Sequence, residues 1–103
     1  MQADSSLTNT GTTLGQHMAQ VMIANKHGLH ARPVTQFVQL ANKFASRIQV
    51  SNGDLSVDGK SVMSMLRLAA ARGTMLQIKA EGQDAADAVA KLVGLVESKF
   101  GEE

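Results

Sequence analysis

The chain has no cysteine, no tryptophan and no tyrosine, and it has a single proline. Without cysteine it can form no disulfide and offer no thiolate, so thiol catalysis is excluded and nothing requires an oxidising compartment. Phe37, Phe44 and Phe100 are its three Phe/Trp/Tyr residues, too few to build a base-stacking surface for single-stranded nucleic acid. Charge of one sign is also missing. Ten Lys and Arg against nine Asp and Glu leave a formal net charge of +1, which gives no electrostatic footprint for nucleic acid or anionic lipid. No apolar run approaches the roughly 20 residues that span a bilayer, and the start lacks the basic and apolar regions of a signal peptide. The expected setting is the cytoplasm, with no nucleic-acid partner and no membrane insertion.

What remains is 103 residues, 44% hydrophobic and 18% charged, enough for one globular domain with a modest core. Residues 1–17 are polar, rich in Ser, Thr, Gly and Gln, and lack apolar periodicity. They read as a flexible extension, with the functional domain spanning 18–103 and beginning at Met18.

From Ala19 to Asn25 the chain alternates, with Val21 and Ile23 on one side, as in a half-buried strand. From Ala31 to Phe44 the spacing turns helical, with Val34, Phe37, Val38, Ala41 and Ala45 in one stripe. Arg47 to Ser51 alternates through Ile48 and Val50, Asn52-Gly53 is a strong hairpin signal, and Leu55 and Val57 continue the partner strand to Asp58-Gly59. Ser61 to Ala71 reads as a short helix capped by Ser61 and stopped by Gly73. Met75 to Glu81 is a fourth strand, with Leu76, Ile78 and Ala80 inward. Asp84 caps a last helix with the stripe Ala85, Ala88, Val89, Leu92, Val93 and Val96, and Lys99 falls in its final turn. The order βαββαβα, with one apolar face per strand, implies an α+β domain whose single sheet is covered by helices on one side.

The chemistry concentrates in Gly28-Leu29-His30-Ala31-Arg32-Pro33. Here a histidine precedes a helical pattern, an arginine follows two residues later, and a proline lies in the first turn. A helix N-terminus leaves backbone N–H groups without partners and carries partial positive charge, so it favours an anion and suits a phosphate. Proline costs little there because the N–H it lacks would have been unpaired anyway. A nucleophilic imidazole must be neutral, and a positive helix end favours the neutral form. Once phosphorylated, His30 would keep its added negative charge in that same field. Arg32 can offer a forked set of donors to phosphoryl oxygens, and the Ala31 and Arg32 segment can line the phosphate. These residues point to covalent phosphohistidine chemistry at a helix cap.

The same six residues resemble the active-centre motif of the HPr family, the histidine-containing phosphocarriers of the bacterial phosphoenolpyruvate-dependent sugar phosphotransferase system. Gly59-Lys60-Ser61-Val62-Met63 resembles that family's regulatory serine segment, and the two motifs stand at the family's usual separation. The resemblance runs from about Met18 to the C-terminus. It implies an open-faced sandwich, a four-stranded antiparallel sheet with three helices on one face. It also implies that His30 accepts a phosphoryl group on Nδ1 from enzyme I and passes it to a sugar-specific enzyme IIA. Arg32 would stabilise that group, with no cofactor and no metal in the carrier. Such a carrier turns over only with its partner phosphotransferases and is not a free-standing enzyme. Ser61 becomes a candidate target of the HPr kinase/phosphorylase, although a plain helix cap explains a serine there equally well. A monomer is expected.

Val62, Met63, Met65, Leu66, Leu68 and Ala69 make the short helix apolar almost all round. A helix on the outside of a one-sheet domain buries only part of its circumference, so some of these residues should form an exposed partner patch. Methionine suits a surface that fits several partners. Val62 and Met63 are the expected contacts. His27 and His30 form an H-x-x-H pair that His17 could extend. With no cysteine, and with His27 in a loop, metal binding is not the expected reading. The alternative to sugar transport is the nitrogen-related phosphotransferase branch, whose regulatory carriers resemble HPr. Incubation with each branch's enzyme I separates the two by relative rate.

Overall fold

A computed structural model describes residues 15–102 of the chain. Among them, seven principal elements follow the expected order: β1 (Gln16–Met22), α1 (Ala31–Ala41), β2 (Arg47–Asn52), β3 (Leu55–Asp58), α2 (Val62–Leu66), β4 (Met75–Glu81) and α3 (Ala85–Glu97). A single 3-10 turn, Lys99–Gly101, closes the described chain. The strands form one sheet in the order β1-β4-β2-β3, with every neighbouring pair antiparallel.

Alternation along the strands decides which sheet face is covered. Val21, Ile48, Val50, Val57, Leu76, Ile78 and Ala80 point to the helices and are buried. Met18, Met22 and Met75 stand exposed on the other face. The buried stripe of α1 is Pro33, Val34, Phe37, Val38 and Ala41, and that of α3 is Ala85, Ala88, Val89, Leu92 and Val96. These stripes meet the sheet in one core anchored by Phe37, Ile48, Leu76, Ile78 and Leu92.

Several boundaries move from where the pattern puts them. β1 begins at Gln16, so Gln16 and His17 pair with Glu81 and Ala80 instead of belonging to a flexible extension. Gly15 is described as well, its carbonyl accepting from Gly82 N–H, and residues 1–14 of that expected extension lie outside the described residues. β1 ends at Met22, before the predicted Asn25. α1 stops at Ala41, leaving Phe44 half-buried and Ala45 exposed in the following turn. The hairpin turn is Gly53-Asp54, one residue later than Asn52-Gly53. Asn52 stays in the ladder opposite Leu55 and donates from Nδ2 to the Leu68 carbonyl, while Gly53 takes the left-handed conformation.

α2 is only five residues long because Ala69, at φ +47, turns the chain well before Gly73. That turn sends Leu68 and Ala70 into the core. Asp84 does not cap α3 with its side chain. Its carboxylate accepts instead from the backbone N–H groups of Ala45 and Ser46 and from Ser46 Oγ. Lys99 lies past the end of α3, in the left-handed region at φ +60.

Candidate functional site

The site is built where β1 leaves the sheet. Ile23 continues toward the next strand connection, donating to the Thr74 carbonyl and accepting from Gly73 N–H. Residues 25–28 then turn the chain toward α1. Gly28 has φ +67, and a Cβ there would lie 2.5 Å from the Ala70 carbonyl oxygen, so only glycine fits without displacement. Leu29 is buried and its N–H donates to that same carbonyl at 2.8 Å. A residue locked into the core thus precedes His30, and Pro33 and Val34, both buried, follow it. The imidazole between these anchors is held in place yet reachable.

His30 is the N-cap residue of α1, with an extended backbone and no side-chain cap bond. Its carbonyl accepts from Val34 N–H at 3.0 Å, the first rung of the helix. The Ala31 and Arg32 amides point out of the helix end without intrahelical partners, and Pro33 has no N–H to offer. Two backbone donors therefore sit beside the imidazole. The Arg32 side chain is exposed and makes no ion pair or hydrogen bond among the described residues. Together with Lys26, His27, Gln36, Phe100, Gly101 and Glu102 it lines an open cleft of about 460 Å³.

The two ring nitrogens of His30 differ. The side chain as a whole is 43% exposed, but Nε2 is buried and lies 3.2 Å from Glu102 Oε2. That contact is electrostatic, since its alignment falls short of a hydrogen bond. His27 meets the His30 ring edge-to-face, with centroids 6.0 Å apart.

Residues 18–98 match the family model described as the PTS HPr component phosphorylation site. The HPr phosphocarrier of Neisseria meningitidis serogroup A is 43% identical over 82 residues, covering 80% of this chain and 92% of the relative. This chain belongs to the HPr family. It is a phosphocarrier of the phosphotransferase system. The HPr of Pseudomonas aeruginosa is 39% identical over 84 residues, covering 81% of this chain and 93% of its own length. Among solved structures, HPr-C-His from Thermoanaerobacter tengcongensis superposes with a TM-score of 0.82 at 45% identity, over 84% of this chain and 98% of that one. The open-faced α+β sandwich expected from the sequence is the fold found.

The second motif lies at the far end of α1. Ser61 caps α2, its Oγ accepting from Ser64 N–H at 3.2 Å. The neighbouring Lys60 carbonyl accepts from Nδ2 of Asn42, the C-cap of α1. His30 caps the other end of that 11-residue helix, so about 16 Å of helix lies between the two motifs.

Met63 is 75% exposed, as expected for a contact surface, and Leu66 joins it at 38%. Val62, expected to be exposed, is half-buried against the core. Met65 and Leu68 are core residues. Two site residues, Asn25 and Glu102, carried no motif. Asn25 is fully buried, and its Nδ2 donates to the Gly28 carbonyl at 2.8 Å and to Glu102 Oε1 at 3.1 Å. No local sequence pattern marks either residue, because the burial of Asn25 and the reach of Glu102 come from tertiary packing. Among the described residues no helix is long and apolar enough to cross a membrane.

Proposed function

We propose that His30 is the residue of this phosphocarrier that takes a phosphoryl group from enzyme I and delivers it to an enzyme IIA. The observation that carries this is the half-exposed imidazole at the N-terminus of α1, with Nε2 buried and, beside it, two helix-end amides without intrahelical partners. The lone pair of Nδ1 attacks phosphorus in line, and the donor's P–N bond breaks with its electrons returning to the donor ring. In the second transfer the acceptor's nitrogen attacks, and the bond to Nδ1 breaks in the same sense. Charge spread over the three phosphoryl oxygens in the transition state is met by the Ala31 and Arg32 amides, the helix end and the Arg32 guanidinium. Catalysis here is positioning and electrostatics.

Met63 and Leu66, with the edge of Val62, form the apolar surface on which both partners dock in turn. Ser61 serves as the regulatory position for an HPr kinase/phosphorylase. The carrier works as a monomer in the cytoplasm.

Incubation with enzyme I, phosphoenolpyruvate and magnesium tests this reading. Acid-labile phosphate should appear on the wild-type chain and be absent from His30→Ala. Undiminished acid-labile phosphate on His30→Ala would refute the assignment.

A further inference from the structure

Beyond Glu97 the backbone does something costly. Lys99, Phe100 and Gly101 are left-handed in succession, at φ +60, +57 and +75. For the two non-glycine residues such a conformation is disfavoured and persists only where packing imposes it. Phe100, 3% exposed in the core, supplies that packing. The turn is closed by Gly101 N–H to the Ser98 carbonyl and Glu102 N–H to the Lys99 carbonyl. Its result is to bring the Glu102 side chain back over the start of α1.

There Glu102 is held from behind. Both hydrogens of the buried Asn25 amide are committed, one to the Gly28 carbonyl and one to Glu102 Oε1. The orientation of that amide follows from chemistry, because both neighbours can only accept. The other carboxylate oxygen faces His30 Nε2 at 3.2 Å. Lys26, His27 and Arg32 line the same cleft.

We infer that Glu102, held by Asn25, is a positioning residue that keeps the proton of the neutral His30 ring on Nε2 and so presents the Nδ1 lone pair to the phosphoryl donor. This rests on His30 being the acceptor. A carboxylate facing one imidazole nitrogen selects the tautomer protonated at that nitrogen and fixes the ring plane. The proton on Nε2 is not moved in the transfer. The bond made at Nδ1 and the bond broken in the donor balance without it, and the carboxylate stabilises the positive charge that develops on the ring as Nδ1 gives up its lone pair.

The test uses the full chain, labelled with 15N, as wild type, Glu102→Ala, Glu102→Gln and His30→Ala. Long-range proton–nitrogen NMR of the neutral His30 ring should show the Nε2–H form dominant in the wild type and a clear shift toward the Nδ1–H form in both Glu102 variants. The initial rate of phosphoryl transfer from phosphorylated enzyme I should fall roughly tenfold in the same variants, the lower end of what loss of an orienting partner costs. Denaturant unfolding measured alongside should leave their stability close to that of the wild type. An unchanged tautomer ratio overturns the inference whether or not the rate falls, since a slower rate alone would place Glu102 in partner docking. An unchanged rate with a shifted tautomer overturns its functional half. Phosphorylation of His30→Ala would instead refute the acceptor assignment, an outcome distinct from all of these.

Discussion

Asp84 accepts hydrogen bonds from Ser46 through both the backbone N–H, at 2.9 Å, and the side-chain hydroxyl, across 38 positions of sequence. The N–H of Ala45 adds a third, at 2.8 Å. One carboxylate thereby ties the entry of β2 to the start of α3, next to Gly82, where a Cβ would lie 2.5 Å from Ser46 Oγ. The hydroxyl of Ser46, first, and the Ala45 amide, second, hold the Asp84 carboxyl below the usual carboxylate range.

The pH dependence follows from that direction. A group whose pKa is lower folded than unfolded adds stability above its unfolded value, near 3.9, and the addition is lost as pH falls through the folded value. Asp84→Asn should therefore have a lower Tm than the wild type at pH 7. The gap should narrow once pH falls below about 4. Thermal melts of both proteins from pH 7 down to pH 3 measure it. A gap constant across that range would show that the carboxylate charge is not what matters at this junction.

Gly28 carries the close approach beneath the candidate site. In Gly28→Ala the new methyl would meet the Ala70 carbonyl oxygen at 2.5 Å and Ala71 Cα at 2.9 Å, both backbone atoms, from a left-handed φ. We expect a loss of about 1–3 kcal/mol in urea unfolding. Displacement of the Leu29–Ala70 hydrogen bond should also slow phosphoryl transfer more than the stability loss alone explains, because it moves the loop that carries His30.

How far the sequence was legible can be read from these two positions. The alternation of Ile48 and Val50, or the stripe Ala85, Ala88, Val89, Leu92 and Val96, is local, so the period alone placed those elements and the covered face of the sheet. The His30 motif was equally local, with cap, arginine and proline inside one turn. The Asp84 carboxylate looked like a helix cap because its true donors, Ala45 and Ser46, lie almost 40 positions away. Glu102 was invisible for the same reason. It reaches Asn25 across 77 positions through a left-handed turn at Lys99 and Phe100 that no propensity favours. α2 came out too long because Ala69, a good helix former, is forced into the left-handed region as the chain turns Leu68 and Ala70 into the core.

Neighbouring methionines of α2 should part company under mutation. Met63 is 75% exposed and Met65 is fully buried. Met65→Ala should lose about 2–5 kcal/mol of stability through the cavity it leaves. Met63→Glu should unfold at nearly the wild-type denaturant midpoint but transfer phosphate to and from its partners more slowly, because a charge then sits in the apolar docking patch. Unchanged transfer kinetics in Met63→Glu would remove Met63 from the proposed contact surface.

Ser61 separates stability from partner recognition. Its hydroxyl caps α2 through Ser64 N–H, so Ser61→Ala should cost about 0.5–2 kcal/mol. Aspartate caps as well as serine and its charge suits a helix N-terminus, so Ser61→Asp should keep wild-type stability. The same charge stands beside exposed Met63 and about 16 Å of helix away from His30, too far to disturb the imidazole directly in ordinary salt, where charges are screened over about 8–10 Å. Transfer from enzyme I should nevertheless slow in Ser61→Asp, by weakening docking and raising KM with little change in kcat. Raising ionic strength should shrink the deficit. If KM stays at the wild-type value at low salt, negative charge at Ser61 does not regulate this carrier through its docking face.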